Sequence, residues 1–504
     1  MFLGIDLGTS GVKAVLIDGD QTVLATGHSG LTVMRPRPGW SEQNPADWIA
    51  ATEAALDQIA AAHPLTKLRG IGLSGQMHGA VCLDAADQVL RPAILWDDGR
   101  AAEQAAALDA DPAFRAITGN IVFAGFTAPK LVWMAAHEPE IRARVAKVLL
   151  PKDYLRLWLS GEMAGDMSDA SGTAWFDPAR RDWSDRLLAA TGLSRDQMPR
   201  LVEGSQPSGR LRAELAGRWG IAGSPVIAGG AGDNAATAIG AGIVGPGTGF
   251  VSLGTSGVIF AATDRFLPAP ESAVHAFCHA LPERWHQMGV MLSASASLEW
   301  LAAITGTRPA ELTAELTAAP GAGLRPPGAV RFLPYLSGER TPHNDPTARG
   351  LLSGLSAATD RAALTQAVLE GVSFGLRDSL EAMRAAGGAV DRLLAMGGGA
   401  RSDYWLSLLA TTLNLPIDRP EGGETGAAFG AARLGMLAVG AADLSALTAP
   451  AIAGSFDPDP ALVPAFDAAY AEFRADWPLA LDRHAVAREG VTGEGITGEG
   501  GRAN

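Results

Sequence analysis

The chain reads as an α/β protein of two duplicated halves facing a cleft, and three observations predict that class. The string Leu7-Gly8-Thr9-Ser10-Gly11-Val12 returns intact as Leu253-Gly254-Thr255-Ser256-Gly257-Val258, the mark of an internal repeat. Short apolar runs alternate with longer segments of helical period, as in sheets joined by helices. Several of those runs end in glycines and polar residues, and open α/β sheets bind ligands beyond their strand ends.

At 504 residues the chain is long enough for two or more domains. Acidic residues outnumber basic ones by 54 to 40, for a net charge of −14. Nucleic acid and anionic membrane surfaces are therefore excluded as main partners, and anionic substrates must be met locally. Cys82 and Cys278 lack metal or disulfide spacing, and no window approaches a membrane span. A reducing, cytoplasmic setting is expected.

In chain order, Phe2 to Ile5 and Val12 to Ile17 flank the first copy of the string; Phe250 to Leu253 and Val258 to Ala262 flank the second. Each copy reads as strand, turn, strand. The turn glycines allow φ > 0 and leave N–H groups bare, so the hydroxyls of Thr9, Ser10, Thr255 and Ser256 join a nest suited to phosphate oxygens. A strand follows the glycines, which sets both copies apart from P-loops and dinucleotide fingerprints. Asp6 ends the first strand beside this nest, where a hard oxygen ligand suits Mg²⁺ through water; a backbone-capping turn Asp is the competing reading.

Asn44-Pro45 opens a helix as N-cap and first turn. Leu68 to Leu73 is a strand running into Ser74-Gly75-Gln76-Met77-His78-Gly79, with His78 either at the sheet rim or buried. Ala93 to Leu95 leads into Trp96-Asp97-Asp98-Gly99-Arg100, a sugar wall or a buried aromatic beside an ion pair. Polar stretches around Lys152-Asp153 and Ser168-Asp169 acquire no role from spacing. Pro225 to Ala228 is a strand entering Gly229-Gly230-Ala231-Gly232 and Asp233-Asn234 at the head of a helix. That positive helix end favours the ionised carboxylate, which can take a proton from an attacking hydroxyl.

Gly242 to Gly249 separates the halves, giving domains 1–245 and 246–485. His275, His279 and His286 fit no zinc spacing. Phe332 to His343 is a strand passing into a loop that faces the cleft, and Asp360 caps a long core helix ending near Gly387-Gly388. Leu393 to Met396 enters Gly397-Gly398-Gly399-Ala400, a bare turn before a helix where an anion or flat base can approach. The run from Gly422 to Ala428 introduces an Ala/Gly-rich helix able to pack closely against the one after Asp233. The glycine-rich tail, 486–504, is expected to be disordered.

This ordered set resembles the actin-like, hexokinase-like (ribonuclease H-like) architecture, in which two α/β domains clamp a nucleotide. Ile5 to Lys13, Gly75 to Gly79, Ile94 to Arg100, Leu149 to Tyr154, Gly232 to Ala236 and Leu336 to His343 narrow the likeness to the FGGY carbohydrate kinases, over roughly Phe2 to Arg483. The resemblance implies ATP- and Mg²⁺-dependent phosphorylation of a ketopentose, D-xylulose, at its terminal hydroxyl. It implies Asp233 as general base, Asp6 at the magnesium–phosphate site, and Met77, His78, Asn234 and Trp96 at the sugar. Gly8, Thr9, Ser10, Lys13, Gly254, Thr255, Ser256 and Gly397 to Ala400 would then hold ATP. A different acceptor for the same family and an actin-like ATPase switch are the alternatives, and a homodimer is left open. Ala231 interrupts the glycine run where relatives carry glycines, and the tail has no counterpart.

Overall fold

The protein is described here as a computed structural model covering residues 1–317, 323–422 and 426–481. The glycine-rich tail and the centre of the 422–428 run lie outside the described residues.

The repeated string becomes two matching hairpins, and each seeds a seven-stranded sheet. In the first, β1 (Phe2–Leu7) and β2 (Gly11–Ile17) pair antiparallel, and β3 (Val23–Gly30) continues that edge. On the other side β4 (Gly70–Gly75) runs parallel to β1; beyond it lie β5 (Pro207–Arg210), β6 (Val226–Ala228) and the short β7 (Ala231–Gly232). The order is β5-β6-β4-β1-β2-β3, with β7 on β4.

The second sheet repeats the plan. Strands β8 (Gly247–Leu253) and β9 (Gly257–Thr263) form its hairpin. β10 (His275–Cys278) and β11 (Trp285–Met291) extend one edge; β12 (Val390–Met396), β13 (Ile417–Pro420) and β14 (Ile452–Phe456) extend the other. Again the first hairpin strand has a parallel partner, here β12. The duplication is thus one of topology as well as sequence.

The turn glycines serve a purpose other than the expected one. None of Gly8, Gly11, Gly254 and Gly257 has positive φ. A Cβ on Gly11 would lie 2.7 Å from the Ser29 carbonyl, and one on Gly257 2.8 Å from Met291 Cγ. These two glycines admit close neighbours.

Helices pack around these sheets. Helix α1 (Pro45–Ala62) starts as expected, with Asn44 accepting from the Ala46 N–H. Next come α2 (Pro151–Ser160), α3 (Asp233–Gly240), α4 (Ser295–Thr305), α5 (Arg361–Ala385), α6 (Asp403–Leu413) and α7 (Ala427–Ala438). Asp360 caps α5 through the Ala363 N–H. Although α7 belongs to the second half by sequence, it packs on β1 and β4 of the first sheet and on α3. Contact is backbone to backbone: a Cβ on Gly4 or Gly430 would meet a carbonyl oxygen at 1.8 Å, and one on Gly72 at 1.7 Å.

Candidate functional site

The parallel strands β1 and β4 end side by side, with Asp6 in register with Ser74, and β7 places Ala231 beside Ser74. Three strand ends therefore deliver Asp6, the Gln76-Met77-His78 segment and Asp233 to one rim. Asp233 is the first residue of α3, and Gly232 occupies the N-cap. One Asp233 carboxylate oxygen accepts from the Asn234 N–H at 2.8 Å and from its side-chain amide at 3.0 Å.

The helix end does not hold the Asp233 pKa down as expected. Burial, and then the charge of Asp6, push its pKa up to about 6, and the Asn234 donors offset only part of that. Low dielectric outweighs the helix terminus here. Asp6 is raised too, chiefly by burial, with Ser74 and Lys13 pulling the other way. Lys13 stands opposite Asp6 across the hairpin. One oxygen of Asp6, Oδ1, is buried without a hydrogen-bond partner.

His78 adopts φ +69, a left-handed conformation uncommon for a residue with a side chain. Its carbonyl accepts from Thr127 Oγ1 at 3.1 Å and Lys130 Nζ at 2.7 Å, and its ring stacks on Phe126. Nδ1 lies 2.7 Å from the Gly172 carbonyl. Burial drives the imidazole pKa down to about 3, so the ring is neutral, Nδ1 donates to Gly172, and Nε2 is left as an acceptor.

Met77, His78, Trp96, Asp233 and Asn234 line one cavity of about 200 Å³. Sequence reasoning brought these five together but missed the opposite wall. Ser256, His275, Phe277, Met288 and Arg340 of the second half complete the cavity. The polar loop after Phe332 pointed to a cleft, yet nothing in it singled out Arg340. That guanidinium lies 4.8 Å over the Phe123 ring, and its Nη1 is 3.3 Å from His275 Nε2. Asp98 is not part of the wall, since it pairs with Arg100 in the interior.

The first hairpin turn is wired to this cavity. Trp96 Nε1 donates to Thr9 Oγ1 at 3.0 Å, which donates to Gln76 Oε1 at 3.1 Å. Gln43 Nε2 donates to the Thr9 carbonyl at 2.7 Å. Gly8 shapes the turn, its N–H reaching the Gly11 carbonyl, and Ser10 is exposed beyond it. In the second turn Thr255 is exposed, and the carbonyls of Gly254 and Thr255 accept from Ser295 and Ala294 at the head of α4.

The triple-glycine turn departs from expectation in detail. A 3-10 turn, Gly398–Arg401, intervenes before α6, whose end Ser402 caps through the Trp405 N–H. Gly398 and Gly399 line a cavity of about 490 Å³ with Ser295, Glu299 and Trp405. Gly397 and Ala400 line a different one, of about 530 Å³, with Met396 and Arg419. The four residues therefore do not share one cavity.

Two family models match the chain. Residues 1–240 match the N-terminal domain of the FGGY family of carbohydrate kinases, and 249–439 its C-terminal domain. The chain is 52% identical to the xylulose kinase of Escherichia coli (strain K12) over 441 residues, covering 87% of this chain and 90% of that one. It is 52% identical to the xylulose kinase of Klebsiella pneumoniae over 442 residues, with the same coverage. Among solved structures, one described as a xyloylose kinase from Brucella ovis superposes with a TM-score of 0.93 at 59% identity, covering 96% of this chain and 99% of that one.

Proposed function

The chain belongs to the FGGY family of carbohydrate kinases, and from that premise we propose that it transfers the γ-phosphoryl group of ATP to the terminal hydroxyl of D-xylulose. The observation that carries this reading is the shared cavity, where Asp233, His78 and the Ser256 turn face one space from both halves.

Phosphoryl transfer passes through a loose transition state, so catalysis rests on positioning and charge. Asp233 takes the proton of the acceptor hydroxyl, and a pKa near 6 suits a base working close to neutrality. His78 Nε2 accepts from a sugar hydroxyl, Trp96 and Met77 form the wall, and Asn234 holds Asp233. The apolar lining of Phe277 and Met288 limits the water that could intercept the phosphoryl group. The two hairpin turns, with Thr9, Ser10, Lys13, Thr255 and Ser256, face the phosphate chain, and Gly398 and Gly399 border the base.

Among the described residues no group of three or more His, Cys, Asp and Glu could cage a metal, but Mg²⁺ keeps much of its water and needs few protein oxygens. The orphaned Asp6 Oδ1 fits that demand, and Asp6 would hold the ion. Bound there, Mg²⁺ supplies neutralisation of phosphate charge. We divide the chain between residues 1–245, which carry the general base Asp233 and the His78 side of the sugar site, and 246–485, which border the nucleobase and close the sugar site with Ser256 and Arg340. The buried free thiols of Cys82 and Cys278 accord with a cytoplasmic setting.

A competition assay tests the acceptor. With D-xylulose, D- and L-ribulose and glycerol offered together, D-xylulose 5-phosphate should dominate the products. Preferential phosphorylation of a ribulose or of glycerol would overturn the substrate while leaving the kinase in place.

A further inference from the structure

Two buried cations of α2 have no part in the reaction as described. Lys152 and Arg156 are fully buried. Lys152 Nζ lies 2.7 Å from Asp153 Oδ1, 2.7 Å from Asp166 Oδ1 and 2.9 Å from Asp169 Oδ2. The other Asp166 oxygen accepts the Ser168 hydroxyl at 2.5 Å and the Ser168 N–H at 2.7 Å. Because that hydroxyl spends its proton on Asp166, its oxygen is an acceptor, and it takes the Gly232 N–H at 3.1 Å. Gly232 immediately precedes Asp233.

Arg156 grips the other end of the same loop. It donates to the carbonyls of Ala228, at 2.6 Å, and Gly229, and to Ser208 Oγ. Asp153 joins the two cations, with Arg156 Nη2 3.3 Å from its Oδ1. The loop between the grips has little slack: a Cβ on Gly229 or Gly230 would lie 2.2 or 2.3 Å from backbone oxygens.

We propose that Lys152, Asp166 and Ser168 are positioning residues, which, with Arg156, hold the 228–232 loop so that Asp233 meets the acceptor hydroxyl. Stability is a poor reason for such a cluster. Burying ions is costly, and an apolar replacement is often as stable. Lys152 also sits in the first turn of α2, where the helix terminus opposes a cation. Geometry is a better reason, since a misplacement of about 1 Å at a reacting group can cost ~10²-fold.

The inference rests on Asp233 as the base, and Ser168→Ala tests it with the smallest change, removing one hydroxyl that donates to Asp166 and accepts from Gly232. Expected is a fall in kcat of about tenfold or more, with dissociation constants for ATP and sugar within about threefold of wild type. Ser168→Cys, similar in size and a weak acceptor, should fall between and serves if the alanine form is not recovered. An unchanged kcat with only a lower Tm would overturn the proposal, as would parallel loss of kcat and ATP binding. An Asp233→Ala control separates the premises: if it stays active the base assignment fails, whereas if it is inactive while Ser168→Ala is normal only the positioning role fails.

Discussion

Opposing effects act on Asp233, and their balance makes it useful. As the first residue of α3 it gains from the helix terminus, typically 0.3–1 kcal/mol at an exposed site and up to ~2 in partly buried ones. Burial and Asp6 act the other way and prevail, leaving the carboxyl near 6. A raised carboxyl is ionised above that value and loses its charge as pH falls through it. kcat/KM for the sugar should therefore drop about tenfold per unit below about pH 6, and a profile flat down to pH 5 would contradict the assignment. Asp233→Ala should lower turnover by ~10²-fold or more, with ATP affinity nearly unchanged by calorimetry. His78 shows what a sequence leaves unread at this scale. Its place at a strand end was legible, but its tautomer depends on the Gly172 carbonyl, 94 residues along the chain.

The hairpins were legible because each is local and the string repeats. The α3–α7 crossing was legible only in outline: both helices looked small-sided, but the strand glycines that receive α7 carry no mark of their partner. Gly4 and Gly72 look like ordinary strand glycines until α7 is laid across them, so close that no side chain fits. Gly72→Ala should therefore destabilise the protein by about 2 kcal/mol or more, because the obstacle is the Ala431 carbonyl rather than a movable side chain. Gly19→Ala, where a Cβ meets nothing within 4 Å, should stay within about 0.5 kcal/mol. Urea unfolding of the two variants checks the contrast, and equal midpoints would mean that α7 can shift to make room. The rest of the site was hidden for a related reason. Lys152 and Ser168 sit in stretches whose spacing signals nothing, since their partners arrive from separate elements.

For the molecule as a whole, the sequence assigns the sugar to the first half and ATP to the second, whereas the cavity takes its walls from both. Arg340 distinguishes the two pictures. It reaches from the second half across the Phe123 ring of the first, and its hydrogen-bond partner, His275, is a neutral ring whose pKa burial holds well below its usual value. A buried guanidinium bordering this cavity, opposed in part by the charge of Glu339, can donate to an acceptor's oxygens. Hydrogen bonds to charged groups are worth about 1.5–3 kcal/mol. Arg340→Met should accordingly raise the sugar KM by roughly ten- to a hundredfold, with KM for ATP within about threefold, because this cavity and the one at Gly398 and Gly399, proposed for the nucleobase, are lined by different residues. If the sugar is held by the first half alone, the same substitution leaves its KM untouched. Steady-state kinetics in both substrates, with Tm measured in parallel, decides between a one-sided sugar site and one that both halves must close to complete.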